Sequence, residues 1–318
     1  MSVFTPVTDG QLAGWLEGYS VGAPVALEPI AAGIENTNYF VTTSQGRYVL
    51  TLFERLPSAE LPFYLDLMAH LARHGIPCPA PIADLSDRFL SSLNGKPAAL
   101  VTRLEGLSIE RPSAADCAEL GGLLARMHLA ARSYGGYLEN PRGPKWWRSA
   151  AADVRPYLDA PRTELLDAEL RFQARHRFAD LPRAAVHADL FRDNAVFRDG
   201  RISGVFDFYF AGVDCFVYDL AVCANDWCLA DPDSDRRLDE GRTRSLLGAY
   251  AAVRQLQAAE RGAWPVMLRA AALRFWLSRL HDKFLPRPGE LVKVHDPEHF
   301  RDILELRAAP GVQAPWSP

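Results

Sequence analysis

The chain has 318 residues, 48% hydrophobic and 23% charged, with a formal net charge of −4. That length suits one large or two modest domains with a sizeable core. The mildly acidic balance gives no basic face for nucleic acid or for an anionic membrane surface. Cys78, Cys117, Cys215, Cys223 and Cys228 are odd in number and irregularly spaced. No Cys-x-x-Cys pair occurs, so neither a disulfide framework nor a structural zinc site is expected. The N-terminus has no basic segment followed by an apolar stretch, and no apolar run approaches a membrane span, so a cytoplasmic protein is expected.

In chain order, residues 8–18 suggest a short helix with Thr8 as its cap. Residues 39–43 and 48–53 are β-branched and aromatic around the turn Ser44-Gln45-Gly46, which predicts a hairpin. Residues 61–73 carry apolar side chains at helical spacing, and Gly75 sits where that helix would stop. The proline-rich run 76–81 forces extended chain. A second hairpin is expected around Asn94-Gly95, leading into residues 98–104. After Gly106 the character changes, with helices expected at 113–132, 163–178, 236–259, 265–284 and 297–306. Between them, residues 195–197 and 202–207 suggest two short strands joined at Asp199-Gly200. The reading is a β-rich lobe over residues 1–100, a connector at 101–106, and a helical lobe over 107–318.

The chemistry is concentrated in His187-Ala188-Asp189-Leu190-Phe191-Arg192-Asp193-Asn194, followed by Phe206-Asp207-Phe208. The frame H-x-D-x-x-x-x-N with a later Asp is the spacing of a phosphoryl-transfer loop. Asp189 is the expected catalytic base, orienting an acceptor hydroxyl and taking its proton. Asn194 and Asp207 supply the hard oxygen donors that magnesium prefers beside phosphates. His187 is expected to prop the loop. The segment from Gly33 through Glu35, Asn36, Thr37 and Asn38 is a Gly- and Asn-rich turn able to lay N–H groups over phosphates. His295 and His299 have the spacing of a metal pair but no partner ligand nearby, and the cluster Trp146, Trp147, Phe275 and Trp276 reads as packing.

These residues resemble the aminoglycoside phosphotransferase and choline kinase group, small-molecule relatives of protein kinases. The resemblance runs through residues 33–40, 48–54, 143–148, 187–194, 206–212, 219–221, 225–228 and 272–280. Within the group, Asn225-Asp226-Trp227-Cys228 and Arg274-Phe275-Trp276-Leu277-Ser278-Arg279 are similar to the bacterial homoserine kinases. The resemblance implies an α+β, bilobal, protein-kinase-like fold: a small antiparallel sheet with one crossing helix, then a larger helical lobe. It implies ATP, magnesium, and transfer to the side-chain hydroxyl of L-homoserine. It assigns Asp189 the base role, Asn194 and Asp207 the metal roles, Asp219 a structural role, and adenine contact to the connector with Thr102, Arg103 and Leu104. One departure stands out: the strand that in kinases carries a phosphate-gripping Lys has Thr51 at that place. Arg47, Arg55, the 33–38 turn or magnesium would have to carry that charge.

A small zwitterion needs a cation for its carboxylate and an acid for its ammonium. Arg148, Asp226, Trp227, Arg274, Arg279 and Asp282 are the substrate residues expected from their types and grouping, Arg274 and Asp282 on one helix face. Two other readings stay open at this point: a choline, ethanolamine or aminoglycoside kinase of the same group, or a nucleotide-binding protein without turnover.

Overall fold

The computed structural model describes residues 3–30, 36–176, 178–286 and 295–309. The chain divides into two compact units, Met1–Glu105 and Gly106–Pro318. In the first, α1 (Asp9–Leu16) starts at a reciprocal cap: Thr8 Oγ1 accepts from the Gln11 N–H while Gln11 Oε1 accepts from the Thr8 N–H. Five strands follow around α2 (Leu61–Arg73): β1 (Pro24–Pro29), β2 (Thr37–Thr43), β3 (Arg47–Leu52), β4 (Ser91–Leu93) and β5 (Lys96–Thr102). They form one antiparallel sheet in the order β1-β2-β3-β5-β4. Along β2 every second residue is buried, the period of two that lays Tyr39 and Val41 on a core with Leu12, Leu16, Leu50, Leu52 and Leu100. At the β4–β5 turn Asn94 and Gly95 both have positive φ, as a two-residue hairpin of that sequence requires.

The second unit holds α3 (Ala114–Ala131), α4 (Pro144–Val154), α5 (Ala160–Arg175), β6 (Arg183–Val186), β7 (Ala195–Arg198), β8 (Arg201–Val205) and β9 (Gly212–Cys215). It continues with α6 (Phe216–Trp227), β10 (Leu229–Asp231), β11 (Asp235–Leu238), α7 (Glu240–Val253), α8 (Ala258–Phe284) and α9 (Glu298–Ala308). Among the described residues its named strands pair in twos, β6 with β9, β7 with β8 and β10 with β11. Helices supply the core, with Trp227, Trp264 and Trp276 fully buried among them. The packing reading of Trp147, Phe275 and Trp276 holds, since all three are buried.

The chain therefore has the expected mixed architecture, an antiparallel sheet first and a largely helical remainder. Several elements differ from the sequence reading. The helix expected over 236–259 is instead β11 and α7, and residues 254–257 are outside any helix. Asp239 caps α7 by accepting from the Arg242 N–H, which fixes the true start. The helix expected to begin at Pro265 begins seven residues earlier, at Ala258, behind a Gln257–Glu260 capping box. Strand β1, helix α4 and helix α6 were not anticipated. Among the described residues no helix is long and apolar enough to cross a membrane.

Candidate active site

Residues 187–194 form the loop between β6 and β7, and α6 holds it through Asp219, Asp226 and Trp227. Asp219 is completely buried. Its Oδ1 accepts from the Ala188 N–H at 2.7 Å and its Oδ2 from the His187 N–H at 3.2 Å. Ala188 has a φ of 62°, a conformation that costs a non-glycine residue energy unless its surroundings enforce it. The paired amides on one carboxylate provide that enforcement. Asp219 Oδ2 also accepts from His128 Nε2 at 3.0 Å, and His128 Nδ1 then accepts from the Tyr250 hydroxyl at 2.7 Å. Burial pushes the Asp219 carboxyl up, but the His128 bond, two nearby imidazoles and the Ala188 N–H outweigh it and hold it below the usual carboxylate range.

His187 couples the loop to the Asp207 segment. Its Nε2 donates to Phe206 O at 2.9 Å, which leaves Nδ1 to accept from the Asp189 N–H at 3.3 Å. Burial pushes its pKa below the ordinary histidine range, consistent with this neutral, one-donor ring. Both of its ring nitrogens are engaged. Asn194 is tied in as well: its Nδ2 donates to Asp189 O at 2.8 Å, and its own carbonyl accepts from the Phe206 N–H at 3.0 Å. With the amide nitrogen engaged, the Asn194 Oδ1 is the end left to meet a cation. Asp207 follows β8 in the left-handed region at φ 64°, ψ 58°, which Asp tolerates better than most residues, and it is solvent-exposed. The loop and the Asp207 turn are thus brought together by bonds through His187 and Asn194. The turn runs on into β9 at Gly212, where a Cβ would lie 2.7 Å from the Asn140 Cα, so only glycine fits.

The Asp189 carboxylate is 15% exposed and pairs with a residue 85 positions away: Arg274 Nη1 donates to its Oδ1 at 3.1 Å. Arg274 is buried on α8, its guanidinium 3.6 Å from the Phe275 ring centre and 5.1 Å from that of Phe210.

The other substrate residues expected from sequence are placed differently. The Asp226 carboxylate is spent on Arg192: Oδ2 accepts from its backbone N–H and Nε, and Oδ1 from Nη2, at 2.8 to 3.0 Å. Trp227 is fully buried and its indole N–H donates to Leu190 O at 2.9 Å. Both brace the loop from α6 and neither is disposed to meet a substrate. Arg279 donates to Asp296 O, lies over Phe300, and is held down to about 10 by burial. Arg148 and Asp282 are exposed on α4 and α8. Arg274 and Asp282 are only about 80° apart around the helix, but Arg274 is buried and Asp282 exposed, so they meet different surroundings.

In the first unit, Gly33 and Glu35 lie outside the described residues. Asn36 is buried, and its Oδ1 has no partner among the described residues. The Thr37 hydroxyl accepts from the Phe4 and Thr5 N–H groups and donates to Glu54 Oε1, so it ties down the N-terminal segment and has no capacity left for a phosphate. Thr51 is buried too and donates to Asn38 Oδ1 at 2.8 Å. Arg47 pairs with Glu105, and Arg55 lies over Phe4. Thr102 ends β5 with its hydroxyl accepting from the Ala80 N–H, Arg103 covers the Phe40 ring at 3.8 Å, and Leu104 follows in irregular chain. His299 Nδ1 accepts from Arg236 Nε, and among the described residues no group of three or more His, Cys, Asp or Glu is disposed to hold a metal.

Sheet, helical unit and Asp–Asn–Asp loop together define a protein-kinase-like phosphotransferase. The chain belongs to the phosphotransferase enzyme family, whose model matches residues 26–288. It is 49% identical over 318 residues to the homoserine kinase of Methylobacillus flagellatus, covering 99% of each chain. It is 48% identical to the homoserine kinase of Paraburkholderia phytofirmans, covering 98% of each. Among solved structures, an amicoumacin kinase bound to AMP-PNP, calcium and amicoumacin superposes with a TM-score of 0.69 at 17% identity, covering 95% of this chain and 92% of that one. That likeness concerns the fold.

Proposed function

We propose that this enzyme transfers the γ-phosphoryl group of ATP to the side-chain hydroxyl of L-homoserine, giving O-phospho-L-homoserine, the step from homoserine towards threonine. The observation that carries the choice of acceptor is near-half identity to homoserine kinases along the full length. The loop geometry supports the reaction type. The homoserine Oγ attacks the γ-phosphorus, the bond to the ADP oxygen breaks, and the hydroxyl proton passes to Asp189. Because the transition state is loose, the task of Asp189 is chiefly to aim the hydroxyl, and its backbone is held for this by His187, Asn194 and, through Ala188, Asp219.

Asn194 Oδ1 and Asp207 fit a magnesium ion, which takes few protein oxygens and completes its shell with phosphates and water. When bound with ATP, the ion would neutralise charge on the phosphates. Thr102, Arg103 and Leu104 are the proposed adenine-side segment, and Asn36 and Asn38, with Gly33 and Glu35, the proposed phosphate-side turn. The protein acts in the cytoplasm in this reading.

Purified protein with Mg-ATP and a panel of hydroxyl acceptors, followed by ADP release, tests the proposal. Turnover with L-homoserine well above that with choline, ethanolamine or an aminoglycoside is expected. Preference for one of those acceptors, or nucleotide binding with no turnover on any, would overturn it.

A further inference from the structure

We infer that Arg274 is the residue by which this enzyme selects its acceptor: one side of its guanidinium holds the base Asp189, and its remaining donors take the acceptor's carboxylate. The inference rests on the acceptor proposed above and names the group that recognises it.

Arg274 is 3% exposed. Buried polar groups are almost always hydrogen-bonded. A guanidinium carries five N–H donors, yet among the described residues Arg274 makes one hydrogen bond, from Nη1 to Asp189 Oδ1. Its Nε is buried with no partner. The Phe275 and Phe210 rings fix the orientation of the guanidinium. Phe210 lies three residues beyond Asp207, so the charge is stationed beside both the base and the turn that follows the proposed metal ligand.

The other arginines expected for this task are placed differently, and Arg192, which the sequence did not single out, is already paired. Arg192 donates to Asp226 through Nε and Nη2 and to Glu110 O through Nη1. Arg279 donates to Asp296 O. Arg148 is exposed on α4. A fixed, desolvated guanidinium with donors to spare beside the reactive carboxylate matches the planar, two-oxygen geometry of a carboxylate ligand. An amino alcohol without that carboxylate would leave those donors unpaired when it is bound. Sites built to hydrogen-bond a group reject analogues lacking it strongly.

The test compares L-homoserine with 3-aminopropan-1-ol, the same chain without the carboxylate, by kcat/KM in wild type, Arg274→Lys and Arg274→Gln. Wild type should favour homoserine by about 100-fold or more. In Arg274→Gln that ratio should fall to within about 10-fold, with Arg274→Lys between, because Lys keeps the charge and loses the fork. If Arg274 only steadies Asp189, both acceptors lose rate equally and the ratio survives, which overturns the inference. No homoserine turnover in wild type would instead overturn the proposed function itself. Should Arg274→Gln fail to fold, wild type still decides by inhibition. L-2-aminobutyrate, which keeps the carboxylate and lacks the hydroxyl, should compete with homoserine about 10-fold better than propylamine. Equal inhibition by the two would contradict the assignment.

Discussion

Asp219 is wholly buried, yet the loop that carries Asp189 depends on it, because it accepts the two amides that hold Ala188 in its left-handed conformation. Removing a buried carboxylate that accepts several hydrogen bonds leaves those donors unpaired, each at about 1–3 kcal/mol. Asp219→Ala should therefore lower unfolding free energy by about 3 kcal/mol or more, read from the urea midpoint, and lower turnover with it. An unchanged midpoint would remove Asp219 from this role. At this scale the sequence was legible where chemistry demands contiguous residues. Asp189, Asn194 and Asp207 could be proposed as a group because their spacing is set by one loop and one turn, which bonds through His187 and Asn194 tie together. His128, Tyr250 and Arg192 gave no sequence signal, and Asp226 and Trp227, expected as substrate groups, are engaged within the chain instead. Each of these acts through a partner on another element, with separations of 91, 122, 34 and 37 residues in the bonds concerned. No local pattern records which of several buried polar groups will meet.

Among the elements, α3 and α7 approach closely at Gly121, where a Cβ would lie 2.1 Å from the Leu246 carbonyl oxygen. Gly121→Val must push the helices apart and should cost about 1–3 kcal/mol. Gly122→Ala, whose Cβ would meet only the flexible end of Arg126 at 3.5 Å, should instead gain roughly 0.5–1 kcal/mol as a helix-interior glycine replaced by alanine. Thermal or urea unfolding of both variants checks the pair, and equal effects would contradict the close approach. The amphipathic helices α2 and α3 were legible from their spacing. Helix α6 was not, because all twelve of its residues are buried, Asp219, Asn225 and Asp226 included, so no polar face marks its periodicity. Strand β1 begins and ends in proline and pairs only with β2, and proline in a run argues against a strand except at such an edge. Pro265 likewise marked a helix start by propensity, but the capping box at Gln257 and the burial of Ala263 and Trp264 carry α8 through it.

Among the described residues, three histidines that burial makes harder to protonate shape the response to acid. His128, His187 and His299 all lie below the ordinary histidine range in the folded chain. Burial is the first cause for each, and Arg279, Arg236 and Arg192 then hold His299 to about 4. The unfolded chain takes up these protons near pH 6.5 while the folded chain resists them, so stability is full above about pH 7 and falls as pH drops towards 5. His299 alone should account for roughly 2 kcal/mol of that loss. Urea midpoints at pH 7 and pH 5 should show His299→Gln losing correspondingly less than wild type, and parallel losses would refute the attribution. The central claim is that the Asp189 loop moves phosphate from ATP to the homoserine hydroxyl, and phosphorus NMR of the reaction mixture tests it most directly. Wild type should build a phosphomonoester signal coupled to the homoserine γ-methylene protons as ADP appears. Asp189→Asn should form it roughly 10²–10⁴-fold more slowly. Inorganic phosphate as the sole product, or an Asp189→Asn variant as fast as wild type, would contradict the account.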